Sequence, residues 1–168
     1  MTDINKALET ALDMEEKGYD IYMAAAGKTK NKLGKYTLEV IAAKELDHIK
    51  AIKNYARNIN QAIEDINPMD KNDYIRPIMA KLKSELNTGV KSDSDLEKAY
   101  AVALGLEKAS YDFYKTQAAE TDEPLSKKFF EFLMGEENTH FELLTETLEY
   151  LNKTGDWYRE QERWIVEG

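Results

Sequence analysis

The chain has 168 residues, of which 42% are hydrophobic, and its 23 basic and 32 acidic side chains give a formal charge of −9. That length fits one domain with a sizeable core, and the acidic balance argues against a nucleic-acid backbone or an anionic membrane surface as partner. With no cysteine in the chain, a disulfide framework, a thiolate zinc site, an iron–sulfur cluster and a cysteine nucleophile are excluded.

The amino terminus, Met1-Thr2-Asp3-Ile4-Asn5, has neither the basic nor the apolar region of a secretory signal. No apolar run approaches the roughly 18 residues of a membrane span, so a cytoplasmic protein is expected. A first amphipathic helix is predicted from about Ile4 to Ala26, ending in Gly27-Lys28-Thr29-Lys30-Asn31. A second is predicted from about Gly34 to Ile63, stopping before Asn67-Pro68, because the residue preceding proline is pushed out of the helical region. Residues 64–94 form a connection far longer than a tight turn needs. It contains a short predicted helix over Tyr74–Leu86, with Pro77 in its first turn, and its Lys71, Arg76, Lys81 and Lys83 read as a solvated face. The third long helix starts after Ser94, which forms a capping box with Glu97, and continues to about Ala119. The fourth follows Thr121-Asp122-Glu123, takes Pro124 in its first turn and runs to about Asn152. Residues 153–168, with Trp157, Tyr158, Trp164 and Ile165, are expected to pack back on the bundle or on a neighbouring subunit. The expected fold is therefore all-α: hairpins over 4–63 and 95–152 joined by a long crossover, a four-helix bundle of ferritin-like topology over residues 1–152.

Shifting the sequence against itself by 92 positions aligns the two hairpins without a gap. Between residues 6 and 26, nine of 21 positions are identical, among them Leu12/Leu104, Glu15/Glu107, Tyr19/Tyr111, Tyr22/Tyr114 and Ala26/Ala118. Unrelated sequence of ordinary composition would give roughly one or two. Further on, Glu45 matches Glu137 and His48 matches His140, so one shift relates both histidines of the protein. Two copies of a helical hairpin, related by a pseudo-two-fold axis, are expected.

The predicted seams carry an anomaly. In heptad register the first helix presents Leu8, Leu12, Glu15, Tyr19, Tyr22 and Ala26, and the third presents Tyr100, Leu104, Glu107, Tyr111, Tyr114 and Ala118. The second reads Leu38, Ile41, Glu45, His48, Ile52, and the fourth Phe130, Leu133, Glu137, His140, Leu144. Each seam has a carboxylate or imidazole at its middle, and uncompensated buried charges cost several kcal/mol each. A positive group belongs at the centre. Residues three apart share a helix face, so Glu45 with His48, and Glu137 with His140, can each present one oxygen and one nitrogen. With Glu15 and Glu107 these make a six-ligand set in which Glu45 and Glu137 bridge two metals, the arrangement of dinuclear iron and manganese carboxylate bundles. One Glu-x-x-His alone is a weak signal. Two of them, each 30 residues after an inward glutamate, are a strong one. Tyr22 and Tyr114 read either as core aromatics or as hydroxyls orienting a carboxylate of a facing helix. Glu16, Asp47 and Glu136 fall off the seam, which points to a solvated or supporting role.

The segments Ala11-Leu12-Asp13-Met14-Glu15-Glu16-Lys17-Gly18-Tyr19-Asp20-Ile21-Tyr22 and Glu45-Leu46-Asp47-His48, with their copies around Glu107 and at Glu137-Asn138-Thr139-His140, resemble the ferritin-like domain of rubrerythrins over about residues 4–150. The resemblance implies a non-haem di-iron centre, with manganese or a mixed pair as alternatives, that reduces hydrogen peroxide or dioxygen, commonly in a homodimer. It departs in two places. The chain lacks the cysteines of the rubredoxin module that rubrerythrins append, so electrons would come from a separate donor such as a rubredoxin-type protein. Ser110 stands where the family carries an extra glutamate, which favours the symmetric six-ligand form. A ferroxidase of iron-handling type and a helical module with a structural metal are the alternative readings.

Overall fold

The computed structural model describes residues 4–57 and 94–152. The expected end of the second helix at Ile63, the crossover with its short helix, the side chain of Ser94 and the tail from residue 153 lie outside the described residues. Four helices are found: α1 (Ile4–Lys28), α2 (Lys32–Arg57), α3 (Ser94–Glu120) and α4 (Pro124–Asn152), with no strand among the described residues. The connections are residues 29–31 and 121–123, which coincide under the 92-residue shift.

The helix ends repeat as well. Asn31 Oδ1 accepts the Gly34 N–H at 2.9 Å, and its counterpart Glu123 accepts the N–H groups of Leu125, at 3.0 Å, and Ser126. These side chains satisfy donors that a helix start leaves without an intrahelical partner. The preceding helices close on equivalent bonds, Thr29 N–H to Ala25 C=O and Thr121 N–H to Gln117 C=O.

Cross-helix contacts set the directions. Glu15 of α1 meets His48 of α2. Tyr22 and Tyr114 reach Glu107 and Glu15 respectively, so α3 also runs antiparallel to α1. Thr37 faces Thr147 at 3.5 Å and Tyr55 meets Ser126 at 2.9 Å, which sets α4 antiparallel to α2. Hence α2 and α3 are parallel, and Arg57 and Ser94 stand at opposite ends of the bundle. The start of α3 rests against the start of α2: Tyr100 Oη donates to the Gly34 carbonyl at 3.2 Å, and a Cβ on Gly34 would come within 2.6 Å of Leu96 Cδ1. Gly34 permits this close approach.

The apolar core has two parts. One, at the α1–α2 turn, includes Tyr22, Leu33, Leu38, Ile41, Leu96, Tyr100 and Leu144. The other, at the α3–α4 turn, includes Leu8, Ile52, Tyr55, Tyr114, Phe129, Phe130 and Leu133. The predicted seams of α2 and α4 are buried throughout. Those of α1 and α3 need correction: Leu12, Tyr19, Leu104 and Tyr111 are only half-buried, and Ala11, Gly18 and Ala103 take inner positions. Small residues on the inner face let the helices approach, while the large ones pack on the flanks.

Candidate metal centre

Between the two apolar clusters lies a layer formed by Glu15, Glu45, His48, Glu107, Glu137 and His140, all buried. The six sequence-predicted residues are brought together, each helix contributing from its middle turns. Two four-residue groups have ligand atoms within 4.8 Å of one another: Glu15, Glu45, His48 and Glu137, and Glu45, Glu107, Glu137 and His140. Glu45 and Glu137 belong to both, the positions expected of bridging carboxylates. His48 Nδ1 lies 3.0 Å from Glu15 Oε2 and 3.3 Å from Glu137 Oε1. His140 Nδ1 lies 3.3 Å from both Glu107 Oε2 and Glu45 Oε1. The two imidazoles stack with ring centroids 5.2 Å apart.

The tyrosines follow the same symmetry. Tyr22 Oη donates to Glu107 Oε1 at 2.5 Å, and Tyr114 Oη donates to Glu15 Oε1. Each hydroxyl crosses to the other hairpin and holds one oxygen of that hairpin's glutamate. Burial, and then the charge of that glutamate, drive both phenols far above the ordinary tyrosine range, so they remain donors.

Burial and mutual charge set the electrostatics of the layer. Burial pushes the Glu15 carboxyl up, but the His48 charge and hydrogen bonds with Glu45, His48 and Tyr114 outweigh it and bring it down to about 2. Burial and the Glu15 charge push Glu45 up to about 7, and burial with the charges of Glu15, Glu107 and Glu45 raises Glu137 well above the carboxylate range. Burial lowers both imidazoles, yet Glu15 acting on His48 and Glu107 acting on His140 raise them well above 6.5. The mutual charge of the layer thus favours bound protons on Glu45, Glu137 and both imidazoles.

Whether this donor set suits a metal pair is tested by its unpartnered atoms. Buried Oε1 of Glu45, Oε2 of Glu107, Oε1 of Glu137 and Nδ1 of His140 make no hydrogen bond, although unsatisfied buried polar atoms are costly. They are carboxylate oxygens and an imidazole nitrogen on the inner side of the cluster, the donors that iron or manganese takes. The residues fit.

Outside the six, the structure separates the flanking acids. Glu16 is exposed and pairs with Lys53, and Asp47 is exposed and pairs with Lys44 and Lys50. Glu136, by contrast, is 7% exposed, and its Oε2 lies 3.7 Å from His48 Nε2. The repeat breaks here, since residue 44, its counterpart, is a lysine. The doubled Glu136-Glu137 is the sequence signal for this residue, but only packing buries Glu136 beside His48 although it falls off the seam.

A cavity between α1 and α3 reaches the cluster, with Glu45 and Glu137 in its lining. Met14 with Leu106, and Gly18 with Ser110, also line it, and each pair is related by the 92-residue shift. The cavity therefore lies on the pseudo-two-fold axis. Sequence reading singled out Ser110 for its departure from the family pattern but not Met14, Gly18 or Leu106, although the shift pairs the small side chains at 18 and 110.

No helix among the described residues is long and apolar enough to cross a membrane. Among curated proteins and solved structures, none matches the chain. A family model, Rubrerythrin, matches residues 6–148, a span that contains both hairpins, all six clustered glutamates and histidines, and both tyrosines. With paired helical hairpins meeting at a buried carboxylate and imidazole layer, the chain belongs to the rubrerythrin family.

Proposed function

We infer that the protein is a peroxide reductase working through a dinuclear iron centre held by Glu15, Glu45, His48, Glu107, Glu137 and His140. Glu45 and Glu137 would be shared between the two ions, while Glu15 with His48, and Glu107 with His140, each serve one. The observation that carries this reading is the cavity that meets Glu45 and Glu137, where hydrogen peroxide would stand beside both metal positions. When bound there, two ferrous ions would supply one electron each to the O–O bond and positive charge for the departing oxygens.

The chain's own residues do the rest. Tyr22 and Tyr114 fix the outer glutamates by one oxygen, leaving the other directed inward. The apolar clusters cover the layer at its two ends. The 168 residues hold no cysteine, so a donor outside them would supply the electrons. A homodimer is part of the same proposal.

The test is single-turnover oxidation of reduced, iron-loaded protein by hydrogen peroxide. Glu45→Ala and His140→Ala are expected to slow it by at least about a hundredfold, since even the outer partners of metal ligands are worth about 10–100-fold. Equal rates in wild type and both variants would remove the reading. Sedimentation separates it from iron storage: a dimer is expected, and a shell of many subunits would transfer the centre to ferrous-iron oxidation for deposition.

A further inference from the structure

The cavity on the symmetry axis has a volume of about 120 Å³, whereas one water needs roughly 10–15 Å³ measured the same way. It is far larger than hydrogen peroxide requires. Its lining changes with depth. Gly18, Tyr22, Glu45 and Glu137 are buried, Met14, Leu106 and Ser110 are half-buried, and the rim at Asp13, Lys17 and Ala109 is exposed.

The chemistry changes along the same direction. At the rim, Lys17 and Asp13 pair with each other at 2.5 Å. At the bottom, the Tyr22 hydroxyl is committed to Glu107, so the polar groups facing the space are the two shared carboxylates. In the middle, two of the three half-buried residues, Met14 and Leu106, are apolar. The wall does not tighten at Gly18, where a Cβ would sit 3.7 Å from the Glu45 carboxylate. An unbranched inorganic peroxide gains nothing from such walls, but a compact hydrocarbon group would be removed from water by them.

We propose that this cavity binds organic hydroperoxides carrying a compact alkyl group, with the alkyl group against Met14, Leu106 and Ala109 and the hydroperoxide directed at Glu45 and Glu137. The inference rests on the peroxide-reductase reading and names its substrate class. In the reaction the O–O bond breaks and the hydroperoxide takes up two electrons and two protons, yielding one alcohol and one water. The electrons would come from two ferrous ions, one from each, and would be restored by the separate one-electron donor. The protons come from solvent through the rim.

Stopped-flow oxidation of the reduced, iron-loaded protein by tert-butyl hydroperoxide and by hydrogen peroxide tests this, with Ala109→Phe and Ser110→Leu narrowing the cavity. In wild type the organic peroxide is expected to react within about tenfold of hydrogen peroxide, and in either variant the organic-to-inorganic rate ratio falls by at least about tenfold, the scale on which a pocket discriminates by size. A second measurement is independent of metal: tert-butyl alcohol should shift the Met14 methyl resonance saturably, the signal being assigned by Met14→Leu and its response abolished by Ala109→Phe. If tert-butyl hydroperoxide is inert while hydrogen peroxide oxidises the centre, the cavity proposal fails and the peroxide-reductase reading stands. Oxidation by neither removes both. An unchanged rate ratio in both variants, each folded by circular dichroism, or a Met14 signal indifferent to the alcohol, overturns the proposal as well.

Discussion

A buried tyrosine hydroxyl pointing at a glutamate fixes one carboxylate oxygen and leaves the other turned to the layer, where Glu15 Oε2 meets His48 Nδ1, and this is the task the geometry gives to Tyr22 and Tyr114. Replacing either by phenylalanine keeps the ring and removes the donor, so an acceptor oxygen in the layer loses its partner at about 1–3 kcal/mol. Tyr114→Phe and Tyr22→Phe are expected to weaken ferrous or cobaltous ion binding by about 10–100-fold, measured by anaerobic titration, with helix content unchanged. Affinity equal to wild type in both would deny the hydroxyls this role. The acids and imidazoles make a second prediction at this scale. Glu45, raised from 4.5 to about 7, Glu137, and the imidazoles of His48 and His140 hold protons more tightly folded than unfolded. Their contribution to metal-free stability is complete below the unfolded values and is lost as pH rises, for Glu45 between 4.5 and about 7 and for the imidazoles through values well above 6.5. Glu15 acts oppositely: its contribution is present above 4.5 and is lost as pH falls towards about 2. The Tm of metal-free protein should therefore fall between about pH 5 and about pH 8, while that of metal-loaded protein rises as protons cease to compete with the ions. Melts followed by circular dichroism check both slopes.

Single helices show where local chemistry is sufficient and where it is not. Both hairpin turns follow their caps, Asn31 opening α2 and Glu123 opening α4. Because α1 and α3 are antiparallel, these caps lie at opposite ends of the bundle. Asn31→Ala and Glu123→Ala are expected to cost about 0.5–2 kcal/mol each, and to add within about 0.5 kcal/mol in the double variant, as measured by urea denaturation. A strongly non-additive result would show that the two ends communicate through the layer between them. Pro124 opens α4 as its fixed φ predicts. The inner faces of α1 and α3 were less legible. Hydrophobicity alone selects Leu12 and Tyr19 over Ala11 and Gly18, but the close approach of α1 to its neighbours brings the small residues inward. The rule that large apolar residues face the core weakens where backbones come close.

For the whole molecule, the layer of six buried ionisable groups separates two hydrophobic clusters, so the metal-free bundle carries four clustered carboxylates at its middle. Two divalent cations would offset the four carboxylates. Loading with ferrous ions under anaerobic conditions is expected to raise Tm, by an amount that grows with free metal and reaches about 2.7 kcal/mol for one site at 100 times its Kd. Each ion should also displace protons, detectable in weakly buffered solution. Identical melting of metal-free and metal-loaded protein would count against the centre. The pseudo-symmetry is incomplete in one respect: Glu136 stands beside His48, while its counterpart is Lys44, which pairs with Asp47.

The residues by themselves determined that the chain forms two copies of one helical hairpin and that a Glu-x-x-His of each copy meets an inward glutamate of each. Those features are periodic, and a period of three to four residues, or of 92, is written along the chain. Which way the tyrosines cross was not so written. Nor was the inward turn of Glu136, or the opening beside Gly18 and Ser110. Each depends on distances between helices far apart in sequence, and a helix encodes which residues share its face, but not how near the next helix comes.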